Sequence, residues 1–372
     1  MAKQKQVEVR PDPARTAEAL RGFGYQFDAA LCDLIDNSIE AEATSISVIA
    51  HLDDTNQAFV TIADDGHGMD VNELQDAMRI GASDKADGNR LGKFGFGLKT
   101  ASTAFTAAFT VVSRKKGKNS SPVASTYDVE KIVQENKWVI DLGDPTAEQL
   151  SDFEDDLSDL EELTGSAVKN GTVVNWDKVD RLLITKGGDD FASARAGINR
   201  KIKEAHALIG LVFHRFLDHK DKRAPNVDVY INGAIVEPYD PFVENFSKDV
   251  QTKPLIEQTI QVARSGAEEA VGEVTVRGFL LPLPGSAEGL TQASMRWSNA
   301  NQGFYCYREN RLVDGPDWFD LFTSDTHTNA ARIEISFSEG LDETFGLSVT
   351  KDSLAFPAGF REFMAEVAGP VR

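Results

Sequence analysis

Three short motifs between Leu31 and Lys99 narrow the folds open to this chain more than any bulk property does. The first is Leu31-Cys32-Asp33-Leu34-Ile35-Asp36-Asn37-Ser38-Ile39-Glu40-Ala41, whose apolar residues, with Phe27 and Ala30 ahead of them, recur at helical spacing. On that helix Asp33 and Asn37 stand four residues apart and share one face, while Leu34 and Ile35 turn toward a core. A carboxylate so placed could polarise an attacking water. The neighbouring amide oxygen could hold Mg2+, a hard cation that takes few protein oxygens and relies on phosphate and water for the rest. The second motif, Asp64-x-Gly66-x-Gly68, follows directly on the alternating strand Ala58 to Ile62. An aspartate there could accept a hydrogen bond from an exocyclic amine, glycines let the backbone close on a flat base, and Met69 could pack against it. The third is Gly92-Lys93-Phe94-Gly95-Phe96-Gly97-Leu98-Lys99, running into a helix expected to begin near Leu98. Successive unhindered amides at a helix start form a nest for phosphate. Its spacing is neither Walker A nor the Rossmann fingerprint. Singly, each motif has an ordinary alternative: an amphipathic helix with a wet side, a tight turn, a hinge loop.

Order and spacing tie the motifs together, because Asn170-Gly171-Thr172 follows on a later strand. With all four in this order the chain resembles the GHKL superfamily, which includes gyrase B, MutL, MORC proteins, the 90-kilodalton heat-shock chaperones and histidine kinases. The helix matches the family's N box, Asp64 to Met69 its second motif, Gly92 to Gly97 its lid motif, and Asn170 to Thr172 its last. The resemblance implies that Asn37 holds Mg2+ and that Asp64 takes the adenine amine of ATP, with Gly66, Gly68 and Met69 around the base. It also implies that Thr172 reaches the adenine through water and that Gly92, Lys93, Phe94, Gly95, Phe96, Gly97, Leu98 and Lys99 surround the phosphates. One departure matters. The family's general base is usually a glutamate, and the matching position here is Asp33, shorter by one methylene, about 1.5 Å. Misplacement of that order costs about 100-fold in rate, so slow hydrolysis is expected.

Histidine kinases place a phosphoacceptor helix before this domain, and the residues ahead of Tyr25 contain no histidine, which argues against that branch. The segment Tyr305-Cys306-Tyr307-Arg308-Glu309-Asn310-Arg311-Leu312-Val313 resembles a strand-turn element of MutL and MORC transducer domains, as does Val229-Tyr230-Ile231-Asn232-Gly233 more weakly. Leu347-Ser348-Val349-Thr350-Lys351-Asp352 resembles the loop from which a transducer presents a lysine to the γ-phosphate, which singles out Lys351. Lys85, in Gly81-Ala82-Ser83-Asp84-Lys85, falls in the lid-like stretch and is expected to touch nucleotide when the lid closes. The branch implies an ATP-dependent homodimer that reopens after hydrolysis, an output that comes from a protein partner or from a clamp formed by the two domains, and leaves DNA open as a further partner. A non-hydrolysing ATP sensor is the alternative reading.

A chain of 372 residues is long enough for two cores. We expect an α+β fold: a Bergerat ATP-binding α/β sandwich over 1–188, then a transducer-like (ribosomal S5 domain 2-like) α+β domain over 189–372. Strands are expected at Ser45 to Leu52, Ala58 to Ile62, Phe109 to Ser113, Ser125 to Val129, Lys137 to Asp141 and Gly171 to Trp176, with a long helix from about Ala192 to Leu211. The acidic stretch Asp152 to Glu162 reads as a solvated helix or loop. In the second half, strands are expected at Val227 to Ile231, Ile235 to Val236, Glu273 to Leu281, Gly303 to Tyr307 and Arg332 to Phe337. No apolar run approaches the roughly 18 residues of a membrane helix and no secretory signal opens the chain, so a cytoplasmic protein without membrane contact is expected. Cys32 and Cys306 have no partners at metal-ligand spacing. A net charge of -20 works against indiscriminate adhesion to nucleic acid. Local basic patches remain at Arg114, Lys115, Lys116 and Lys118, and at Lys220, Lys222 and Arg223.

Overall fold

The computed structural model describes residues 7–22, 24–81, 91, 95–118, 120–183, 191–244, 246–247, 250–263, 270–348, 350–351 and 353–372. They fall into two compact units. One takes the described residues up to 81 with Gly95–Lys203 and Tyr230–Ala234, the other Leu91, Glu204–Val229 and Ile235–Arg372.

The first unit opens with helix α1 (Pro13–Leu20), started by Asp12, whose side chain accepts from the Arg15 amide at 2.9 Å. Helix α2 (Phe27–Glu40) carries the first motif, and strands β1 (Ser45–Leu52) and β2 (Ala58–Asp64) pair antiparallel after it. A reciprocal capping box of Asp70 and Glu73 begins α3 (Val71–Ala77). Then come α4 (Gly97–Thr103), β3 (Ala108–Arg114), β4 (Val123–Asp128), α5 (Val129–Glu135), β5 (Asp141–Gly143), α6 (Ala147–Thr164) and β6 (Gly171–Trp176). Helix α7 (Phe191–Val212) follows, then the short α8 (His214–Leu217) and the hairpin β7 (Asp228–Ile231) and β8 (Ala234–Ile235). At the tip of that hairpin Asn232 clamps β1: its Oδ1 accepts from the Ala50 amide at 2.8 Å and its Nδ2 donates to the Ala50 carbonyl at 3.0 Å.

The large sheet runs β5-β4-β3-β6-β2-β1-β7-β8. Strand β6 arrives last of the central four yet lies between β3 and β2, so it sews the two earlier hairpins into one surface. Its register sets Thr172 opposite Asp64 on one side and opposite Ser113 on the other. Because side chains alternate along a strand, these three residues end the rows that run through Val174, Ile62 and Val111 to Trp176, Val60 and Phe109. Trp176 in turn packs with Phe27 and Phe105 from the helical layer. The opposite face, with Ala63, Val112, Ala124 and Val173, is covered by Phe153 and Leu157 of α6.

The acidic stretch is thus a packed helix. Phe153, Leu157 and Leu160 at helical spacing are all buried, Asp156 is half-buried, and Asp152, Glu154, Asp155, Asp159, Glu161 and Glu162 are exposed. Two expected strands shift. Val129 begins α5, because Asp128 caps that helix by accepting from the Lys131 amide, and strand structure around Asp141 is confined to Asp141–Gly143.

In the second unit a five-stranded sheet runs β12-β11-β13-β10-β9, built from β9 (Ile256–Ala263), β10 (Ala270–Leu280), β11 (Gly303–Arg308), β12 (Arg311–Asp317) and β13 (Ala331–Phe337). Strands β11 and β12 form a hairpin whose turn residues Glu309 and Asn310 take φ of +47° and +69°. Both central residues of a type I′ turn need that left-handed backbone. One face of the sheet buries Val276, Phe304, Cys306, Ile333 and Ile335 under α9 (Ala358–Val371), whose Phe360, Met364 and Val367 join the same core. The other face mixes rings with charge. Phe242, Phe279, Tyr305 and Tyr307 pack there, and Arg215 meets Glu334 at 2.8 Å with both side chains almost wholly buried. Arg277 also binds Glu334, and the three-way attraction holds the Glu334 carboxyl down at about 2 despite its burial.

Candidate functional site

The first, second and last motifs and the described end of the third, Gly95 to Lys99, meet on the helical side of the large sheet, within the first unit. Asp64 stands at the end of β2 with 5% of its surface exposed. Its Oδ2 accepts from the Ser38 hydroxyl at 2.8 Å, and its Oδ1 accepts from the Gly66 amide at 3.0 Å and the Thr172 amide at 3.3 Å. A carboxylate offers about four acceptor positions, so one on Oδ2 remains for an incoming donor. Burial raises the Asp64 carboxyl to about 6, while the bonds from Ser38, Gly66 and Thr172 hold it back. At neutral pH it is chiefly the ionised acceptor.

The turn after β2 is shaped by two glycines. Gly68 takes φ of +62°, and a Cβ there would fall 2.1 Å from the Arg114 carbonyl oxygen. Gly171 brings β6 so close that a Cβ would lie 1.8 Å from the Asp64 carbonyl oxygen. Neither position admits a side chain without moving backbone. Asn170 fastens the same turn, its Nδ2 donating to the Gly66 carbonyl at 2.5 Å. Asp65 fastens it from below by accepting from the Thr44 and Ser45 amides. Behind Asp64, Ser113 shares a 2.8 Å hydrogen bond with the Thr172 hydroxyl and accepts from the Met69 amide at 2.8 Å. Ser38 and Ser113 were not singled out from sequence. Serines in a helix and a strand have no distinguishing spacing, and only the β3-β6-β2 order reveals their place.

On α2, Asp33 is buried and Asn37, one turn on, is exposed, so the carboxylate lies beneath a surface amide. The Tyr25 hydroxyl donates to Asp33 Oδ2 at 2.7 Å. Helix α4 begins against the same side chain: a Cβ on Gly97 would stand 3.5 Å from Asp33 Oδ2. Ahead of it Gly95 is exposed with φ of +62°, and Phe96 and Leu98 are half-buried. Starting the helix at Gly97 rather than Leu98 places the last glycine of the third motif inside its first turn.

Lys99 is 3% exposed, and its ammonium donates to the carbonyl of Ala77, the last residue of α3, at 2.8 Å. Burial lowers it to about 8. Here the lysine finishes α3. Lys85, Gly92, Lys93 and Phe94 lie outside the described residues. Lys351 belongs to the second unit, where it is buried with φ of +51° and its carbonyl accepts from Arg311 at 3.2 Å. Of the basic patches, Arg114 pairs with Glu154, Lys115 with Asp70 and Glu73 at 2.8 Å, and Arg223 with Asp221 and Glu244. Among the described residues no three His, Cys, Asp or Glu side chains gather as a metal site, and no helix is long and apolar enough to cross a membrane.

Residues 25–159 match the family described as histidine kinase-, DNA gyrase B- and HSP90-like ATPase. Among curated proteins, the chain is 30% identical over 99 residues to Protein MICRORCHIDIA 5 of Arabidopsis thaliana, covering 25% of this chain and 14% of that one. It is 31% identical over 109 residues to the DNA mismatch repair protein MutL of Endomicrobium trichonymphae, covering 27% and 18%. It is 28% identical over 134 residues to ATPase MORC2B of Mus musculus, covering 33% and 13%. The matches thus span less than a fifth of these relatives' lengths. The family match takes in the stretch that holds Asp33, Asn37 and Asp64, on the antiparallel sheet and helical layer just described. Residues 25–159 therefore form an ATPase-family domain of the GHKL superfamily, similar to those of MORC and MutL proteins, and the chain joins it to a further α+β unit.

Proposed function

We propose that this chain binds ATP with Mg2+, hydrolyses it slowly, and uses the nucleotide to gate formation of a homodimer. The observation that supports this best is the buried Asp64 carboxylate, locked by Ser38, Gly66 and Thr172 with one acceptor position left, on the same helix-sheet junction as Asp33. That position suits the adenine amine, with Thr172 and Met69 beside the ring. Asn37 offers a single exposed amide. Such a donor fits Mg2+ arriving on the nucleotide phosphates rather than an ion held by the protein alone. The backbone of Gly95 to Leu98 is the proposed phosphate side, with Gly92, Lys93, Phe94 and Lys85 completing it on closure, and Asp33 polarising the attacking water. The Lys99 ammonium, occupied at Ala77, would need to leave that carbonyl to reach a phosphate.

In this reading 1–188 is the nucleotide domain and 189–372 a transducer, from which Lys351 supplies positive charge to the γ-phosphate. MutL is by name a DNA mismatch repair protein. A DNA-linked or defence process, with a protein partner receiving the output, is proposed by that analogy alone, as is a cytoplasmic location. Purified protein should turn over ATP with Mg2+, and Asp33→Asn should lose turnover while binding a non-hydrolysable analogue as before. Unchanged turnover in that variant would remove Asp33 as the base. The burial and short reach of Asp33 favour one alternative, an ATP-dependent conformational sensor. A nucleotide-bound form that releases no product over hours would select it.

A further inference from the structure

We infer that Tyr25 is a positioning residue for Asp33, fixing the short carboxylate in the orientation that hydrolysis requires; this rests on the reading of Asp33 as the base. Tyr25 lies just ahead of α2 and is 9% exposed, and its hydroxyl reaches forward along the helix to Asp33 Oδ2 at 2.7 Å. An O–H donor on an ionised carboxylate makes one of the stronger hydrogen bonds in proteins, and this one forms where little water competes. The same hydroxyl lies 3.4 Å from Thr100 Oγ1, and Thr100 donates to the Phe96 carbonyl at 3.0 Å. Tyr25 therefore touches both the base and the first turn of α4, the helix that begins where the glycine motif ends. Gly97 packs beside the same carboxylate, a Cβ there standing at ordinary contact distance, 3.5 Å, from Asp33 Oδ2.

The chemistry explains why such a contact is worth keeping. An aspartate one methylene short has little latitude in where its oxygens fall, and a base loses rate steeply with small misplacement. A second side chain that fixes the orientation of a catalytic group is the general device for avoiding this. Tyr25 supplies it from outside the helix, with its hydroxyl lying against Thr100 in the first turn of α4. Nucleotide binding at Asp64 does not depend on this hydroxyl, so the effect falls on turnover.

The test is steady-state kinetics on the full chain with Mg-ATP for Tyr25→Phe, Asp33→Asn and the double variant. Analogue affinity by calorimetry serves as the check that each variant is folded. Tyr25→Phe should lower kcat by about tenfold or more while KM stays within about twofold. In the Asp33→Asn background the same change should cost nothing further, because a residue acting through Asp33 has nothing left to orient. Full kcat in Tyr25→Phe with Asp33→Asn inactive would overturn the inference alone, as would equal losses in both backgrounds. Full turnover in Asp33→Asn would overturn the base assignment and the inference with it. If Tyr25→Phe folds poorly, difluorotyrosine at position 25, nearly isosteric and a stronger donor, should change kcat without changing KM, and an unchanged kcat would again overturn the inference.

Discussion

Replacing Asp64 by asparagine should separate nucleotide binding from stability. Asp64 Oδ1 accepts two backbone amides, so an asparagine oxygen settles there and its NH2 takes the place of Oδ2. Ser38 can turn its hydroxyl to accept, but the remaining position now presents a donor to a donor. Loss of a hydrogen bond to a charged group costs about 1.5–3 kcal/mol, and the unmatched polar group adds about 1–3 kcal/mol, so analogue affinity should fall by about 100-fold or more. Folding should respond in the opposite sense. Holding this carboxylate ionised in its buried position, with its pKa moved from 3.8 to about 6, costs roughly 3 kcal/mol at neutral pH, and a neutral amide avoids that cost. We therefore expect Asp64→Asn to melt no lower than the unmodified chain at pH 7 while losing ATP. Calorimetric titration with Mg2+ and a non-hydrolysable analogue, alongside thermal unfolding, reads both. Retained affinity, or an affinity loss accompanied by a fall in melting temperature, would refute the reasoning.

Three other perturbations follow from named contacts. Gly68→Ala should destabilise the first unit by about 2 kcal/mol or more, because its Cβ meets the Arg114 carbonyl at 2.1 Å on a left-handed backbone; an unchanged denaturation midpoint would contradict that geometry. Analogue affinity should weaken by up to about tenfold per pH unit as pH falls below about 6, since an amine donor favours the ionised Asp64 and must there displace a proton; a flat profile between pH 5 and 7 would contradict it. Arg215→Met removes a buried partner of Glu334 and a guanidinium stacked 3.8 Å over Tyr307, and should destabilise the second unit by about 3 kcal/mol in denaturant melts, with a change below about 0.5 kcal/mol refuting the role of the pair.

Much of the site was legible because its chemistry is local. Asp33 and Asn37 declare themselves by helical spacing, and Asp64 by its place between a strand and a glycine turn. What stayed hidden is non-local. Ser38, Ser113 and the Tyr25 contact depend on strand order and on a side chain reaching forward past a helix start. The Lys99 bond to Ala77 depends on two helices meeting. In the second unit β9, α9 and the part of β12 beyond Val313 left little mark on the sequence. Strand β9 half-buries Ile256, Ile260 and Val262, but exposed Gln258 breaks the alternation, and the strand lies at a sheet edge, where little apolar character is needed. Strand β12 contains Gly315-Pro316, which reads as a turn and is tolerated because this strand is also an edge. Helix α9 includes Gly359, Gly369 and Pro370, all poor helix formers, and it is held by packing of Phe360, Met364 and Val367 rather than by propensity.

The adenine preference proposed for the Asp64 site is measured directly by titrating the full chain, with Mg2+, against non-hydrolysable analogues of ATP and of GTP. A carboxylate at the base edge accepts from the adenine amine and repels the guanine carbonyl, so we expect one ATP analogue per chain and at least about 100-fold weaker binding of the guanine counterpart. No binding of either analogue, or equal affinity for both, would contradict the placement of an adenine nucleotide against Asp64.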